Sequence, residues 1–232
     1  MWVGVALLVL VIAAEYQTAF VEWVLQGHWW GPRDADKVAL TFDDGPGDCA
    51  SSILDVLAAH GAKATFFVTG ENAERYPDVV RRIVGEGHAL GNHGYRDEPA
   101  PILGRDPRRT AEGIARTQQV TERIAGVRPR LFRLPCARPR RDIWRTVREE
   151  GMVVVHASLV SLSERKQSPE SLSRLILKRA RRGDIILLHD GWSGQVDSSE
   201  PACVSALPLI ITGLREKGLE PVSVPELLDL LK

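Results

Sequence analysis

An excess of charge is missing from this chain: 30 Lys and Arg are matched by 30 Asp and Glu, for a formal net charge of zero. That balance leaves no electrostatic footprint for a nucleic-acid partner. Cysteine is scarce. Cys49, Cys136 and Cys203 lie far apart, and so scattered and odd a set fits neither a disulfide framework nor a zinc ribbon. No Lys or Arg precedes Arg33. A secretory signal peptide carries basic residues ahead of its apolar core, and these are absent. The apolar run Met1–Ala14 is shorter than the about 20 residues that span a bilayer. Glu15, Gln17 and Glu22 dilute a second apolar stretch ending at Trp29-Trp30, residues suited to a membrane interface. The expectation for residues 1–30 is an apolar helical segment, either a membrane anchor or an uncleaved signal. It makes the protein membrane-associated or extracytoplasmic. A buried or surface helix is the alternative.

Internal linkers and low-complexity tracts are absent too, so residues 37–232 read as one domain. At 44% apolar content the chain can fill a sizeable core. Strand and helix patterns alternate from Lys37 onward. Strands are expected at 38–43, 64–68, 89–92, 131–134, 152–156, 184–189 and 221–224. Helical patterns fall at 51–60, 72–86 (interrupted by Pro77), 107–125, 140–150, 169–182 and 201–217, and Pro225 opens a last one. About seven βα units of this kind imply a parallel sheet covered by helices. The fold class is α/β, an irregular (β/α)7-type barrel preceded by the N-terminal apolar helix; an open doubly wound sheet is the alternative. Either arrangement gathers the strand C-terminal ends on one face.

The hexapeptide Thr41-Phe42-Asp43-Asp44-Gly45-Pro46 sits where the first strand ends. Adjacent carboxylates repel each other and resist burial unless a cation lies between them, or unless one binds metal while the other handles protons. Asn92, His93, Arg133 and His189 also fall at strand C-terminal ends. So many reactive groups at corresponding points of a barrel point to a site there.

These residues resemble the polysaccharide deacetylases, carbohydrate esterase family 4 with its NodB homology domain, over roughly residues 37–228. Thr-Phe-Asp-Asp-Gly-Pro is similar to the first motif of that family. Gly91-Asn92-His93 falls where the second begins, Arg133-Leu134-Pro135 resembles the third, and Leu187-Leu188-His189-Asp190 the fifth. The resemblance implies metal-dependent removal of an N-acetyl group from an amino sugar in a glycan. It makes Asp43 the general base, Arg133 the residue that orients it, and His189 the general acid. Asp44 and His93 become metal ligands, and Leu187 lines the acetyl pocket. Pro135 and the residue after it border the substrate, with a backbone N–H there helping to hold the oxyanion. The implied cofactor is a divalent ion, zinc first, with manganese, cobalt or magnesium as alternatives.

The pattern also breaks. Asp97 stands where the family has a third metal-binding histidine; an oxygen ligand shifts preference from zinc toward manganese or magnesium. Gly94 replaces a hydroxyl residue of that motif. Cys136 stands where an aromatic residue closes the third motif. The fourth motif supplies an aspartate after the fifth strand, yet residues 156–163 contain no carboxylate, leaving Glu164 or Asp190 as substitutes. A catalytically impaired homologue that binds glycan or assists envelope assembly is therefore the second reading, and a deacylase of a lipid-linked sugar the third.

Overall fold

A computed structural model describes residues 27–96, 107–135, 141–160, 167–190 and 202–230. Residues 1–26 of the expected N-terminal segment, with Asp97, Cys136 and Glu164, lie outside the described residues; its last four residues, 27–30, are not helical but form bends and isolated bridges to strand residues.

Among the described residues eight strands form one parallel sheet: β1 (Lys37–Gly45), β2 (Thr65–Val68), β3 (Ala89–Asn92), β4 (Leu131–Phe132), β5 (Val153–Val154), β6 (Leu159–Val160), β7 (Ile185–His189) and β8 (Glu220–Val222). Their order is β5-β4-β3-β2-β1-β7-β6. β8 pairs with the first residues of β1, just below β2, where Val224 N–H donates to Thr65 Oγ1 at 2.9 Å. Among the described residues the two ends of this curled sheet, β5 and β6, do not pair. Residues 28–30 lie in the seam: His28 bridges to Val155 and Trp30 to Asp184. Trp29 stacks on His156 at 4.2 Å. The chain from Gly27 onward therefore packs with the barrel rather than trailing from it.

The helices are α1 (Ala50–Ala59), α2 (Gly70–Arg75), α3 (Pro77–Gly85), α4 (Pro107–Ala125), α5 (Arg141–Glu149), α6 (Pro169–Arg179), α7 (Ala202–Glu216) and α8 (Val224–Leu227). Pro77 splits the expected 72–86 helix because proline cannot continue a helix but suits its first turn. β6 is absent from the sequence expectation. Two residues cannot show a period, and only pairing with β7 makes them a strand.

The strand period of two sorts the side chains. Val38, Leu40 and Phe42 of β1 face the helices, with Phe66, Val68, Ile186 and Leu188, in the main core. Phe42 and Phe66 stack there at 5.0 Å. Each such fully buried side chain contributes about 1.5–3 kcal/mol. Residues of opposite parity enter the barrel. Ala39, Phe67, Leu131 and Ile185 make a smaller interior cluster. The same parity carries Thr41, Asp43, Arg133 and His189 upward from this apolar floor.

Candidate active site

The base of the site is a buried Arg133–Asp43 pair. Arg133 Nη1 donates to Asp43 Oδ1 and to Thr41 Oγ1, both at 2.7 Å. Its Nε reaches the Val155 carbonyl at 3.3 Å and its Nη2 the His156 carbonyl at 3.1 Å. The guanidinium lies 4.1 Å above the Phe67 ring centroid. Gly91 makes room for that ring, since a Cβ there would approach Phe67 to 2.4 Å. A buried charge is tolerable only with partners of this kind. Burial pulls the Arg133 pKa down, opposed by Asp43. Thr41 joins the site although the sequence pattern assigns it no role. Its hydroxyl accepts from Arg133 and donates to the Ile186 carbonyl at 2.8 Å, which ties β1, β4 and β7 together. Its place in the hexapeptide and in the period-two row with Asp43 was the available signal.

Asp44 turns out of the strand with φ of 68°, a conformation Asp tolerates better than most residues. Asn72 of α2 holds that turn, its Nδ2 donating to the Asp44 carbonyl at 2.7 Å. Thr69 Oγ1 caps α2 by accepting from Asn72 N–H at 3.4 Å. The Asp44 carboxylate faces two imidazoles: His93 Nε2 lies 3.2 Å from Oδ1, and His189 Nε2 lies 3.9 Å from Oδ2. Burial raises the Asp44 pKa, but the hydrogen bond and charge of His93, with the charge of His189, bring it below the ordinary value.

His93 is buried, with Nδ1 at 2.9 Å from the Arg133 carbonyl. A carbonyl only accepts, so Nδ1 carries hydrogen and Nε2 of the neutral ring presents a lone pair toward Asp44. Burial lowers the His93 pKa, yet Asp43 and Asp44 outweigh it and the net direction is up. With the ring neutral, that lone pair would face a carboxylate oxygen, an arrangement stable only with a proton or a metal cation shared between them. This geometry, with a backbone carbonyl fixing the ring, fits a divalent ion. Among the described residues no group of three or more His, Cys, Asp and Glu could hold a metal. The position expected to complete the set, Asp97, lies outside them.

His189 is the register partner of Asp43 across β1 and β7, and its side chain is 19% exposed. Leu187, two residues earlier on the same face, is half-buried opposite Thr41. Pro135 is buried where the chain leaves β4. Asp190 points to the other face from His189. It is 1% exposed, and neither carboxyl oxygen has a hydrogen-bond partner. Burial, then Cys49, Asp44 and Asp43, push its pKa well above the ordinary carboxylate value. A Cβ on Gly45 would fall 2.1 Å from either Asp190 oxygen, so this turn requires glycine.

Fold and site thus define a class: a curled parallel half-barrel whose mouth joins an arginine-held carboxylate to an Asp–His pair and a second histidine. The polysaccharide deacetylase family model matches residues 31–155, more than half of the chain. A peptidoglycan-N-acetylglucosamine deacetylase of Bacillus cereus is 34% identical over 203 residues, covering 87% of this chain and 72% of its own. A chitooligosaccharide deacetylase of Bradyrhizobium is 32% identical, covering 82% and 90% respectively. The crystal structure of the peptidoglycan N-acetylglucosamine deacetylase Bc1960, in complex with a naphthyl-substituted N-hydroxybenzamide, superposes with a TM-score of 0.79. It has 32% identity and covers 90% of this chain and 96% of that one. The chain belongs to the polysaccharide deacetylase family, hydrolases of carbon–nitrogen amide bonds.

Proposed function

We propose that this protein removes the N-acetyl group from an amino sugar of an envelope glycan, with a divalent metal ion as cofactor. The observation that carries the reading is the Asp43–Arg133–Thr41 network beside the Asp44–His93–His189 cluster. The relatives named as peptidoglycan and chitooligosaccharide deacetylases support the substrate class.

Asp44 and His93 would hold the ion, with Asp97 at the third position; zinc is the first candidate, and manganese, cobalt or magnesium the alternatives. When bound, it supplies Lewis-acid polarisation of the amide carbonyl and a more acidic water. Asp43 takes the proton of the attacking water, its carboxylate aimed by Arg133. The water oxygen bonds to the acetyl carbon, and the family resemblance assigns the backbone N–H after Pro135 as a donor to the resulting oxyanion. His189 gives its proton to the sugar nitrogen as the C–N bond breaks. Acetate and a free amine leave. Leu187, half-buried at the mouth, would border the methyl group, and Pro135 with the following Cys136 is assigned to the substrate wall by the family resemblance alone.

Acetate release from an N-acetylglucosamine oligomer, measured with added zinc, manganese, cobalt or magnesium, tests the reading. Absence of release with every metal and with both chitin-type and peptidoglycan substrates sinks it. A specific observation supports a second reading, glycan binding without turnover: residues 156–160 at the end of β5 carry no carboxylate to tune His189. Glycan affinity without acetate release distinguishes it.

We also place the protein at a membrane or outside the cytoplasm, on the strength of the apolar sequence before Gly27. No described helix is long and apolar enough to cross a membrane. Retention of the full chain in the membrane fraction until detergent is added is the expected result; full recovery without detergent removes this part.

A further inference from the structure

Arg133 aims Asp43, and two of its other bonds go to backbone carbonyls past the end of β5. Its Nε donates to Val155 at 3.3 Å and its Nη2 to His156 at 3.1 Å. The aim of Asp43 therefore depends on where residues 155 and 156 sit. The ladder to β4 ends short of them: Leu131 pairs with Val153 and Phe132 with Val154. Val155 N–H still donates to the Phe132 carbonyl at 2.8 Å. On its other side β5 has no paired strand among the described residues, because β6 pairs with β7.

Gly27, His28 and Trp29 occupy that side. His28 N–H donates to the Val154 carbonyl at 2.9 Å, and the His28 carbonyl accepts from His156 N–H at 2.8 Å, a parallel bridge centred on Val155. Trp29 lies on the His156 ring, with centroids 4.2 Å apart and planes 27° from parallel. Gly27 makes the close approach: a Cβ there would fall 2.1 Å from His156 Nε2 and 3.1 Å from Val154 Cγ1. His156 is thus gripped at its N–H and its ring while its carbonyl serves Arg133. The grip is anchored farther along the chain. Gly31 N–H donates to the Gly183 carbonyl at 2.7 Å, and Arg33 Nη1 to Asp184 Oδ1 at 2.7 Å. Asp184 Oδ1 also accepts from Ser158 Oγ at 3.0 Å, two residues beyond His156. The corner 155–158 is therefore held near both ends by residues 27–33. Residues 27–30 precede the stretch that the family model matches.

We infer that Gly27, His28 and Trp29 are positioning residues of the active site: they close the open side of β5 and hold the Val155 and His156 carbonyls against Arg133, which in turn holds Asp43 on the attacking water. The guanidinium is a planar fork of fixed donors, so the acceptors it meets set its orientation. A buried cation does not tolerate orphaned donors. If residue 156 shifts, the fork follows its carbonyl, and the bond from Nη1 to Asp43 shifts with it. A displacement of about 1 Å at a reacting group costs about 10²-fold in rate. The inference rests on Asp43 acting as the base in the deacetylation proposed above and adds the residues that aim it.

Two readouts on the full chain separate this role from plain support of the fold. The first is hydrogen exchange at the Arg133 Nε–H, followed by NMR and assigned by the loss of its signal in Arg133→Lys; it needs no turnover. The second is the split between kcat and KM for acetate release. Trp29→Ala should speed the exchange by about 10-fold or more. It should lower kcat by about 10–100-fold, with KM and zinc affinity within about twofold of wild type. Trp29→Phe, which keeps a ring over His156, should restore both readouts. Gly27→Ala should reproduce the losses through the methyl set against His156 Nε2, and it decides the matter if Trp29→Ala does not fold. Ile210→Val, in the main core at α7, should lower the urea midpoint and move neither readout. Wild-type exchange and kcat in Trp29→Ala or Gly27→Ala, with at most a lower urea midpoint, overturn the inference. A rise in KM alone overturns it in favour of a substrate wall. If wild type releases no acetate with any metal, the deacetylase reading fails by itself, and the exchange still decides: faster exchange in the variants upholds the grip on Arg133, and unchanged exchange overturns it.

Discussion

A buried histidine stands at each end of β3, and the two live by opposite rules. His88 precedes the strand. Its Nδ1 accepts from the Ala64 N–H at 3.2 Å, so Nε2 carries the hydrogen, buried and without a hydrogen-bond partner. Burial first, then the charge of Lys63, hold its pKa down at about 4. His93 follows the strand. Its Nδ1 donates to a carbonyl, its Nε2 faces Asp44, and its pKa is raised although it too is buried. The residue type and the strand are the same; what differs is the surroundings at each end. At the base His88 meets the edge of the Phe66 ring at 5.6 Å and one carboxylate, Glu86, 3.8 Å from Nε2, set against the cations Lys63 and Arg82; at the top His93 meets two carboxylates. One histidine is kept neutral to support the fold, and the other is poised toward a cation.

The contrast breaks most severely at the base of the catalytic network. Asp43→Asn should lower acetate release by about 10²–10⁴-fold, the usual contribution of a general base. Metal affinity should change little because Asp44 and His93 remain. Arg133 keeps its bonds to Thr41 and two carbonyls, so a urea midpoint near that of wild type should accompany the loss. Wild-type activity in this variant removes Asp43 as the base.

Metal titration sharpens the comparison itself. His93→Ala and Asp44→Ala should each weaken divalent-ion binding by well over the about 10–100-fold typical of a supporting residue. His88→Ala, at the other end of the strand, should leave it unchanged. Asp97→Ala should lower affinity by about 10-fold or more, and Asp97→His should shift preference toward zinc. Equal affinity in the His93 and His88 variants defeats the assignment.

At the base the expected signal is stability. An unfolded imidazole takes its proton near 6.5, the folded His88 only near about 4. Between those values the unfolded state binds more protons, so stability falls as pH drops through the window. The full loss, at most roughly 3 kcal/mol, is reached below the folded value. His88→Gln can still accept from Ala64 and lacks the titration. Urea unfolding from pH 7 to 4 should therefore show a steeper decline for wild type than for the variant, and parallel curves would refute the linkage.

The smallest effect concerns the turn between base and acid. Gly45→Ala would set a methyl against the Asp190 carboxyl and should cost about 1–3 kcal/mol. Asp190→Ala in the same chain should recover most of that cost in a double-mutant cycle. Additive penalties would show that the contact is not the cause.

Much of the frame was legible because it is local. Apolar runs and Gly or Pro punctuation located most strands and helices to within a residue or two, and the hexapeptide with Arg133 and His189 marked the mouth. β6 escaped because it is too short to show a period. Residues 27–33 escaped because their structure consists of bridges to β5 and β7, which no nearby sequence encodes. Asp190 is one of two sequence candidates for the missing fourth-motif carboxylate. The strand alternation that points His189 into the barrel turns Asp190 away from it, toward Gly45.

The sequence by itself determined the family, the βα alternation, and which residue types could hold a metal or move a proton, since these depend on short-range pattern and side-chain chemistry. Only the tertiary structure decided that Arg133 meets Asp43 and Thr41 across 90 and 92 positions of chain. It alone made one histidine of β3 a buried support and the other a neighbour of Asp44. The physical reason is that charge state and hydrogen-bond role follow from burial and partners. Those are set by register between distant strands, which the local periodicity of any one strand does not contain.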